Sequence, residues 1–423
     1  MKNHLNSLLA RHKLLRLLEL AYTGGAIVLA RIGSLLALIY AARMMEPKEY
    51  AGLVFAISLS QIIVQLGSFG WLNLIRKESS RFEFHAPALV KGFLHRSFQI
   101  PITLISFVIV CTSALLYVKV VPASISAAVI FALILSVPLL LVQILREYMA
   151  GYKNTLGSIA LSETLPLWLM FAFFAIFKTQ TMEAAVLCVL FSQVLGLIVQ
   201  AYMMFPHLKS AYLNQEVLYK TREWTRLAAL TVVGYGGKLL MDRMDAIMIA
   251  PMVGMEQMAI FNSTSKVAAI VLLMSLVLIQ FYSPRVAKAF KANDAVSLRK
   301  IIHRQLIIIT VAMFPICVAL FLYPTDVMIF IFGVRYEQGA TILWLSVLSN
   351  VVFAYALPFS SFLLMADGER AYAIASIVGL VVYLVLCWSL LPLHGIYGAS
   401  VALLIATILM SLFLVKPALS RLL

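Results

Sequence analysis

Apolar segments long enough to cross a lipid bilayer recur about twelve times along this chain, and they constrain its fold more than any other feature. A membrane-spanning helix needs about 20 predominantly apolar residues. Short breaks marked by proline, glycine or charge separate these windows, so no separate soluble domain fits between them. The windows are approximately 21–44, 52–74, 97–117, 125–145, 155–177, 184–205, 227–250, 259–280, 305–323, 340–364, 372–390 and 399–415. The sequence therefore predicts an all-α polytopic membrane protein.

The overall composition excludes the soluble alternatives. Hydrophobic residues make up 63% of the chain and charged residues 12%, whereas an ordinary soluble protein has roughly 25% charged residues. Even a globule of about 300 residues buries only about 75% of the surface that its unfolded chain exposes. A cytosolic enzyme, a disordered chain and a fibrous protein are therefore all excluded.

The sequence contains no recognisable catalytic or metal-binding pattern. Its four cysteines are far apart within apolar runs, which excludes a disulfide framework and a zinc site. It has no phosphate-binding loop, no HExxH pair and no GxSxG elbow. We therefore expect a protein that is not an enzyme, with no catalytic residue, no metal and no cofactor.

The basic residues are distributed unevenly between alternate loops. The N-terminus, the even-numbered loops and the C-terminal tail carry about 24 of them, whereas the odd-numbered loops carry about five: Arg43, Lys48, Lys119, Lys178 and Arg335. The positive-inside rule then predicts that both termini are cytoplasmic. It also explains the net charge of +15 as a topology signal at an anionic lipid surface, without a nucleic-acid partner. Residues 5–20 read as a basic amphipathic helix at the membrane interface.

Twelve spans divide naturally into two halves. Residues 1–206 are predicted to form an N-terminal six-helix bundle, residues 207–226 a cytoplasmic linker, and residues 227–423 a second six-helix bundle. In both halves a membrane-depth cation, Arg31 or Lys238, precedes an apolar run and an acid-bearing turn. This faint repeat predicts that the two bundles are pseudo-symmetric.

Seven ionisable residues lie inside the predicted spans. Each would cost roughly 2.5–3.5 kcal/mol at the centre of a lipid-exposed helix, which totals on the order of 20 kcal/mol. That exceeds the roughly 5–15 kcal/mol net stability of a typical fold. They must therefore pair with each other or line a polar cavity, where such residues usually mark a substrate or ion path. They are Arg31, Glu163, Lys238, Asp242, Arg243, Asp245 and Lys266.

Helical geometry groups three of these residues on the seventh span. At about 100° per residue, Lys238, Asp242 and Asp245 fall within roughly a 60° arc, and Arg243 points away from it. The stripe is either one polar face of a cavity or contains an internal Lys238–Asp242 pair that neutralises both charges.

The remaining charges also have two interpretations each. Arg31 either pairs with a seventh-span carboxylate or lines an anion-binding cavity, and Lys266 either joins that site or extends to the surface. Glu163 either carries protons or accepts hydrogen bonds from its neighbours. The aromatic side chains of Trp168, Trp344 and Trp388 are interpreted as belt or packing residues.

Several local motifs resemble one family of transporters. They are ARIG with the turn MEPKEYAG, then REYMAGYKN, MDRMDAIMIAPMVGMEQMAIFNSTSK, YSPRVAKAF, IFGVRYEQGATIL and GIYGAS. In order and spacing they resemble the polysaccharide transporter family of the multidrug/oligosaccharidyl-lipid/polysaccharide exporter superfamily, the Wzx-type flippases. The resemblance covers nearly the whole chain.

This resemblance implies two six-helix bundles in a V around a cationic cavity that works by alternating access. The implied substrate is an undecaprenyl-pyrophosphate-linked oligosaccharide, moved to the outer leaflet of the bacterial inner membrane for a surface polysaccharide such as O-antigen or capsule. Implied partners are membrane lipids, a polysaccharide polymerase and a chain-length regulator. The implied substrate contacts are Arg31, Lys238 and Lys266, to which we add Arg243. Asp242 and Asp245 become candidates for ion coupling, together with Glu163.

Two other functions compete with this hypothesis. A cation-coupled multidrug exporter of the same superfamily would favour acids and aromatics, whereas here the membrane-depth cations slightly outnumber the acids. A glycan polymerase or ligase would need a sizeable external loop to hold its acceptor, and every predicted external loop is short. The excess of cations favours an anionic substrate, because a pyrophosphate headgroup must exchange water for fixed cations.

Overall fold

The computed structural model describes residue 25 and residues 28–79, 87–151, 155–212, 217–292, 294–366 and 368–422. All of the regular secondary structure in these residues is helical. The predicted amphipathic helix at residues 5–20 and most of the start of the first window lie outside the described residues.

The helices follow one another with short connections. They are α1 (28–44), α2 (Pro47–Gly67), α3 (Trp71–Ser79), α4 (Pro87–Tyr117), α5 (Ala123–Gly151), α6 (Thr155–Phe177), α7 (Met182–Tyr212), α8 (Thr221–Met252), α9 (Met255–Ala268), α10 (Leu273–Lys291), α11 (Ala295–Leu322), α12 (Pro324–Phe332), α13 (Ala340–Met365) and α14 (Glu369–Leu422). A 3₁₀ turn over Ala269–Leu272 continues α9 into α10, and another over Val334–Gly339 precedes α13.

Twelve crossings result from the described helices, as predicted. Six come from α1, α2, α4, α5, α6 and α7, and the other six from α8, the continuous α9–α10 pair, α11, α13 and the two parts of α14. The last helix breaks at Gly395, whose φ of 56° is in the left-handed region that glycine adopts readily. The prediction of an all-α membrane protein with about twelve spans in two bundles is confirmed.

The second predicted window ends too late. It covered residues 52–74, but α2 ends at Gly67 and a turn follows in which Phe69 and Gly70 both have positive φ, 46° and 77°. The turn is apolar and leads directly into Trp71 of α3, so hydropathy alone does not reveal the break. Most other spans are longer than their windows because their charged ends extend beyond the apolar core, as in α4 and α11.

The molecule has two unlike ends. We call the "sparse end" the one formed by residues 45–46, 118–122, 178–181, 253–254, 333–339 and 393–395, and the "basic end" the opposite one, which carries most of the lysines and arginines. One hydrophobic core contains residues of both halves, such as Tyr50 and Phe174 together with Phe332 and Tyr336. Its first-half members lie in the parts of their helices next to the sparse end.

Towards the basic end the core separates into two. One cluster belongs to the first half, with Trp71, Phe93 and Tyr148, and is joined there by Trp224 from the start of α8. The other belongs to the second half and includes Phe362 and the end of α14. The two bundles therefore share a core near the sparse end and have separate cores near the basic end.

Candidate functional site

Helix α8 carries most of the predicted site and runs along the boundary between the halves. Near its start Trp224 packs edge-on against Phe93 of α4, with ring centroids 5.2 Å apart. Along its length α8 contacts α2 of the first half and α9 and α14 of the second. Charged side chains on α8 are therefore positioned where the two bundles meet.

Lys238 and Asp242 form an ion pair within α8. The Lys238 ammonium donates to Asp242 Oδ1 and also lies over the ring of Phe353 on α13, 4.5 Å from its centroid. The Lys238 side chain is 16% exposed and the Asp242 side chain 52% exposed. Of the two interpretations of this stripe, the internal pair is the one observed. Although it is paired with Lys238, the Asp242 carboxylate remains about half exposed.

Arg243, Asp245, Lys266 and Arg31 form an electrostatic cluster around that pair. Asp242 and Asp245 attract the charge of Arg243, and Arg31 repels it. The ammonium of Lys266 on α9 interacts with Arg243, Asp245, Arg31 and Asp242. Although Arg243 leaves α8 in a different direction from the stripe, it belongs to the same cluster as both carboxylates. We call these five residues together with Lys238 the "charge cluster".

Within the charge cluster, Arg31 and Asp245 differ in their surroundings. Arg31 is exposed and makes no ion pair with any residue in the described part of the chain. Asp245 accepts a hydrogen bond from the backbone N–H of Ala246 at 2.8 Å. Its carboxylate also lies near Tyr383 and Cys387 of α14. Asp245 is therefore associated with the α8–α14 contact, whereas Arg31 is exposed and lacks an ion-pair partner among the described residues.

The charge cluster contains four cations and two carboxylates, a formal excess of two positive charges. It draws on α1 of the first half and on α8 and α9 of the second. Such an arrangement can hold an anion through charge-assisted hydrogen bonds, and guanidinium groups suit phosphate oxygens in particular. Among the described residues no group of histidine, cysteine and carboxylate side chains is arranged to hold a metal ion.

Glu163 lies within α6, but its side chain is outside the described residues. It is therefore not placed in the charge cluster, and its predicted role in ion coupling stays a prediction.

Two contacts of charged residues are not evident from the sequence. Phe353 covers Lys238 from a helix more than a hundred residues away, and no local pattern indicates that contact. Glu147 of α5 is almost fully buried and binds the Arg76 guanidinium at 2.6 Å and Arg146 at 2.9 Å. Its position inside the REYMAGYKN motif was a usable signal, because an acid near the end of an apolar helix needs a partner when it is buried.

The fold and the charge cluster define a multi-pass helical membrane protein built around the contact of two bundles. Comparison with solved structures identifies the same fold. An inward-facing multidrug resistance transporter of the MATE family in the MOP superfamily matches with a TM-score of 0.71 and 13% identity, over 93% of this chain and 94% of that one. An outward-facing MATE-family structure matches with a TM-score of 0.58 and 14% identity, over 95% and 96%.

A third match concerns the polarity of a binding pocket. A MOP-superfamily transporter from Pyrococcus furiosus, described as having a binding pocket of reverse polarity that suggests a different function, matches with a TM-score of 0.63 and 13% identity, over 95% of this chain and 97% of that one. No protein-family model matches the sequence, and a search of curated proteins finds no match. The chain thus has the fold of the MATE transporters of the MOP superfamily.

Proposed function

We propose that this protein is an alternating-access membrane transporter whose charge cluster binds an amphipathic anion. The observation that carries the proposal is the excess of cations at the contact of the two bundles. Arg31 comes from one bundle and Lys238, Arg243 and Lys266 from the other. Relative movement of the bundles would then assemble and separate the anion site, which is what alternating access requires.

A headgroup that crosses the hydrocarbon region loses its hydration, and fixed cations compensate for that loss. Guanidinium groups bind phosphate oxygens in a planar, two-pronged geometry, and an ammonium acts as a point charge. In this proposal Asp242 and Asp245 balance part of the positive charge when the site is empty. They also supply groups through which a coupling ion can act, because moving one net charge through a potential is worth about 2.3 kcal/mol per 100 mV.

Two substrate classes fit this mechanism. The first is the lipid-linked oligosaccharide implied by the resemblance of the sequence motifs, with its diphosphate as the anion. The second is an organic compound exported as in multidrug transport, and the structural comparisons support this second class better than the first. The inward-facing and outward-facing MATE-family structures compared above are both multidrug resistance transporters. The charge cluster favours anionic compounds in either class.

The cellular setting belongs to the same proposal. We propose a bacterial inner membrane with both termini in the cytoplasm, because most basic residues lie at one end. A polysaccharide polymerase and a chain-length regulator are partners only if the substrate is a lipid-linked oligosaccharide.

The test is transport by the purified protein in proteoliposomes. A fluorescent undecaprenyl-diphosphate-linked oligosaccharide, an anionic dye and a cationic dye are compared. Arg31→Ala should lower transport of the anionic compounds about tenfold, the effect of losing one charge-assisted contact. Lys291→Ala, a removal of an exposed cation outside the charge cluster, is the matched control and should have no effect.

The outcomes separate the alternatives. Transport of the oligosaccharide would support the flippase, and transport of the anionic dye alone would support an exporter of organic anions. Transport of the cationic dye with no loss in Arg31→Ala would overturn the proposal that the charge cluster binds an anion.

A further inference from the structure

Trp168 of α6 makes a polar contact with the backbone of α1 close to Arg31. Its indole Nε1–H donates a hydrogen bond to the carbonyl oxygen of Leu29 at 3.1 Å. These residues are 139 positions apart in the sequence, so the contact is tertiary. An indole N–H inside a membrane protein needs an acceptor, and a helix carbonyl supplies one here.

The contact is close because α1 has a glycine one turn further on. A Cβ atom added to Gly33 would lie 2.9 Å from Trp168 Nε1 and 3.0 Å from its neighbouring ring carbon. Real Cβ atoms are almost never this close to another heavy atom, so a larger residue would displace the indole. Gly33 therefore lets the Trp168 ring lie directly against the α1 backbone.

Further along the same face, α1 contacts a second aromatic residue of α6. The Trp168 ring meets Phe171 edge-on, with centroids 6.2 Å apart, and Phe171 meets Tyr40 of α1 edge-on at 6.3 Å. At about 100° per residue, positions 29, 33 and 40 fall within roughly a 40° arc of α1. The contact with α6 thus extends over three turns of one helix face.

Arg31 is on the opposite face of α1. Two residues after Leu29, it is rotated by about 200° from the face that contacts α6. It is exposed, and its charge is near enough to Arg243 and Lys266 of the other bundle to repel them. The face of α1 that contacts α6 therefore determines the direction in which Arg31 points.

We propose that Trp168 is a positioning residue, which fixes the rotation of α1 about its axis so that Arg31 faces the charge cluster. The ligand of Arg31 rests on the proposed function, whereas the direction in which the Arg31 side chain points does not depend on it. The indole N–H holds the Leu29 carbonyl, and the absence of a side chain at Gly33 allows that contact.

The test measures the accessibility of position 31 and uses no transport substrate. In a full-length chain whose four native cysteines are replaced by serine, Arg31→Cys is labelled in detergent with an anionic thiol reagent. Trp168→Phe keeps an aromatic ring but removes the N–H. It should change the labelling rate by about fivefold, the population shift expected when one hydrogen bond is lost.

Two controls accompany this measurement. Trp388→Phe makes the same replacement at a largely exposed tryptophan of α14 and should leave the labelling rate at position 31 unchanged. Asp242→Cys, placed on α8 instead of α1, should be labelled at the same rate with and without Trp168→Phe. An equal change at both positions would mean that the fold is generally loosened and would overturn the proposal.

The glycine supplies an independent test. Gly33→Ala should change the labelling rate at position 31 by itself, because its Cβ displaces the indole. In a chain that already carries Trp168→Phe it should have little further effect, because the N–H contact is gone. Additive effects of the two substitutions would contradict the proposal.

Failure of this proposal and failure of the proposed function are distinguishable. If Trp168→Phe changes labelling while Arg31→Ala transports normally, Trp168 positions an arginine that the substrate does not use. If Arg31→Ala abolishes transport while Trp168→Phe leaves labelling unchanged, the anion site stands and the positioning role of Trp168 is wrong.

Discussion

The two ends of the molecule use arginine in different ways. At the sparse end, Arg43 of α1 reaches the other half of the chain. Its Nε donates to the carbonyl oxygen of Ile331 at 2.9 Å, and a second guanidinium nitrogen donates to that of Phe330. These carbonyls lie at the C-terminal end of α12, where helical acceptors lack partners and the helix dipole is negative.

At the basic end three charged contacts between described residues each lie within one half. In the first half Arg76 of α3 binds the buried Glu147 of α5. In the second half Arg421 of α14 donates to the carbonyl of Ala366 at 2.6 Å, and Arg299 of α11 donates to that of Leu422 at 2.8 Å. These contacts stabilise each bundle separately and do not join the two.

The sparse end is the end at which aromatic and charged contacts hold the two bundles together. At the sparse end Tyr50 packs edge-on against Tyr336 of the other half, with ring centroids 5.9 Å apart, beside the Arg43 contact. The cores are joined towards that end and separate towards the basic end. At the sparse end these contacts join the two bundles, so we expect their loss to change conformation more than the loss of a contact within one bundle does.

The largest expected effect is on stability at the basic end. Glu147→Gln removes the partner of two arginines at a buried site, and we expect it to cost about 2 kcal/mol. That value lies between the costs of breaking a buried and an exposed ion pair, because the Arg76 side chain is 57% exposed. Denaturant unfolding in detergent measures it. Glu223→Gln, which removes an exposed partner of Lys220, is the control; equal losses would show that the burial of Glu147 is unimportant.

At the sparse end we expect a smaller change in free energy, and we expect it to alter the conformation of the protein instead of its free energy of unfolding. Arg43→Ala removes one charged contact between the bundles. The population open at that end should rise about tenfold, because we expect the two hydrogen bonds of this exposed guanidinium to contribute about 1.4 kcal/mol together. Spin labels at Val118→Cys and Val334→Cys, one on each half and both largely exposed, report the separation of the two halves.

Lys48→Ala is the matched control for that experiment, because it removes an exposed cation from the start of α2, just beyond the connection that follows Arg43. Its distance distribution should resemble that of the parent chain. If Arg43→Ala gave the parental distribution as well, the contrast between the two ends would be wrong.

The smallest effect concerns a connection outside the membrane spans at the basic end. Asp294 caps α11 by accepting a hydrogen bond from the backbone N–H of Ser297 at 2.9 Å. Hydrogen bonds from Ser297 lower the pKa of the Asp294 carboxyl below its ordinary value. A lowered pKa means that the cap stabilises the protein above the unfolded pKa of about 3.9, and that this contribution is lost as pH falls through the folded value.

The melting temperature of Asp294→Ala should accordingly lie slightly below that of the parent chain at neutral pH, with the difference shrinking in acid. Asp294→Asn retains a capping oxygen and should lose little at any pH. A difference for Asp294→Ala that grows as the pH falls would contradict this assignment.

Local sequence information predicted the spans and one contact of the site. Hydropathy is a property of about 20 neighbouring residues, so it located twelve crossings even where Gly395 divides one long helix. The Lys238–Asp242 pair was among the alternatives because residues i and i+4 are adjacent on any helix. Whether they pair or face a cavity was left undecided, since that depends on neighbours such as Phe353.

Contacts between segments that are far apart in the chain could not be predicted from the sequence. Trp168 was interpreted as a belt or packing residue, because nothing near it in the sequence indicates an acceptor on α1. Arg43 was counted only as one of the few basic residues at its end of the molecule, and its partners on α12 are 287 and 288 positions away.

By itself the sequence determined that this chain crosses a membrane about twelve times and that charged residues lie within the crossings, because burial of apolar side chains depends on composition and local periodicity. Only the tertiary structure decided which charges from α1, α8 and α9 come together and which end holds the bundles in contact. Those outcomes depend on the packing of helices that are far apart in the chain, and the energy of each contact is set by partners that no local pattern specifies.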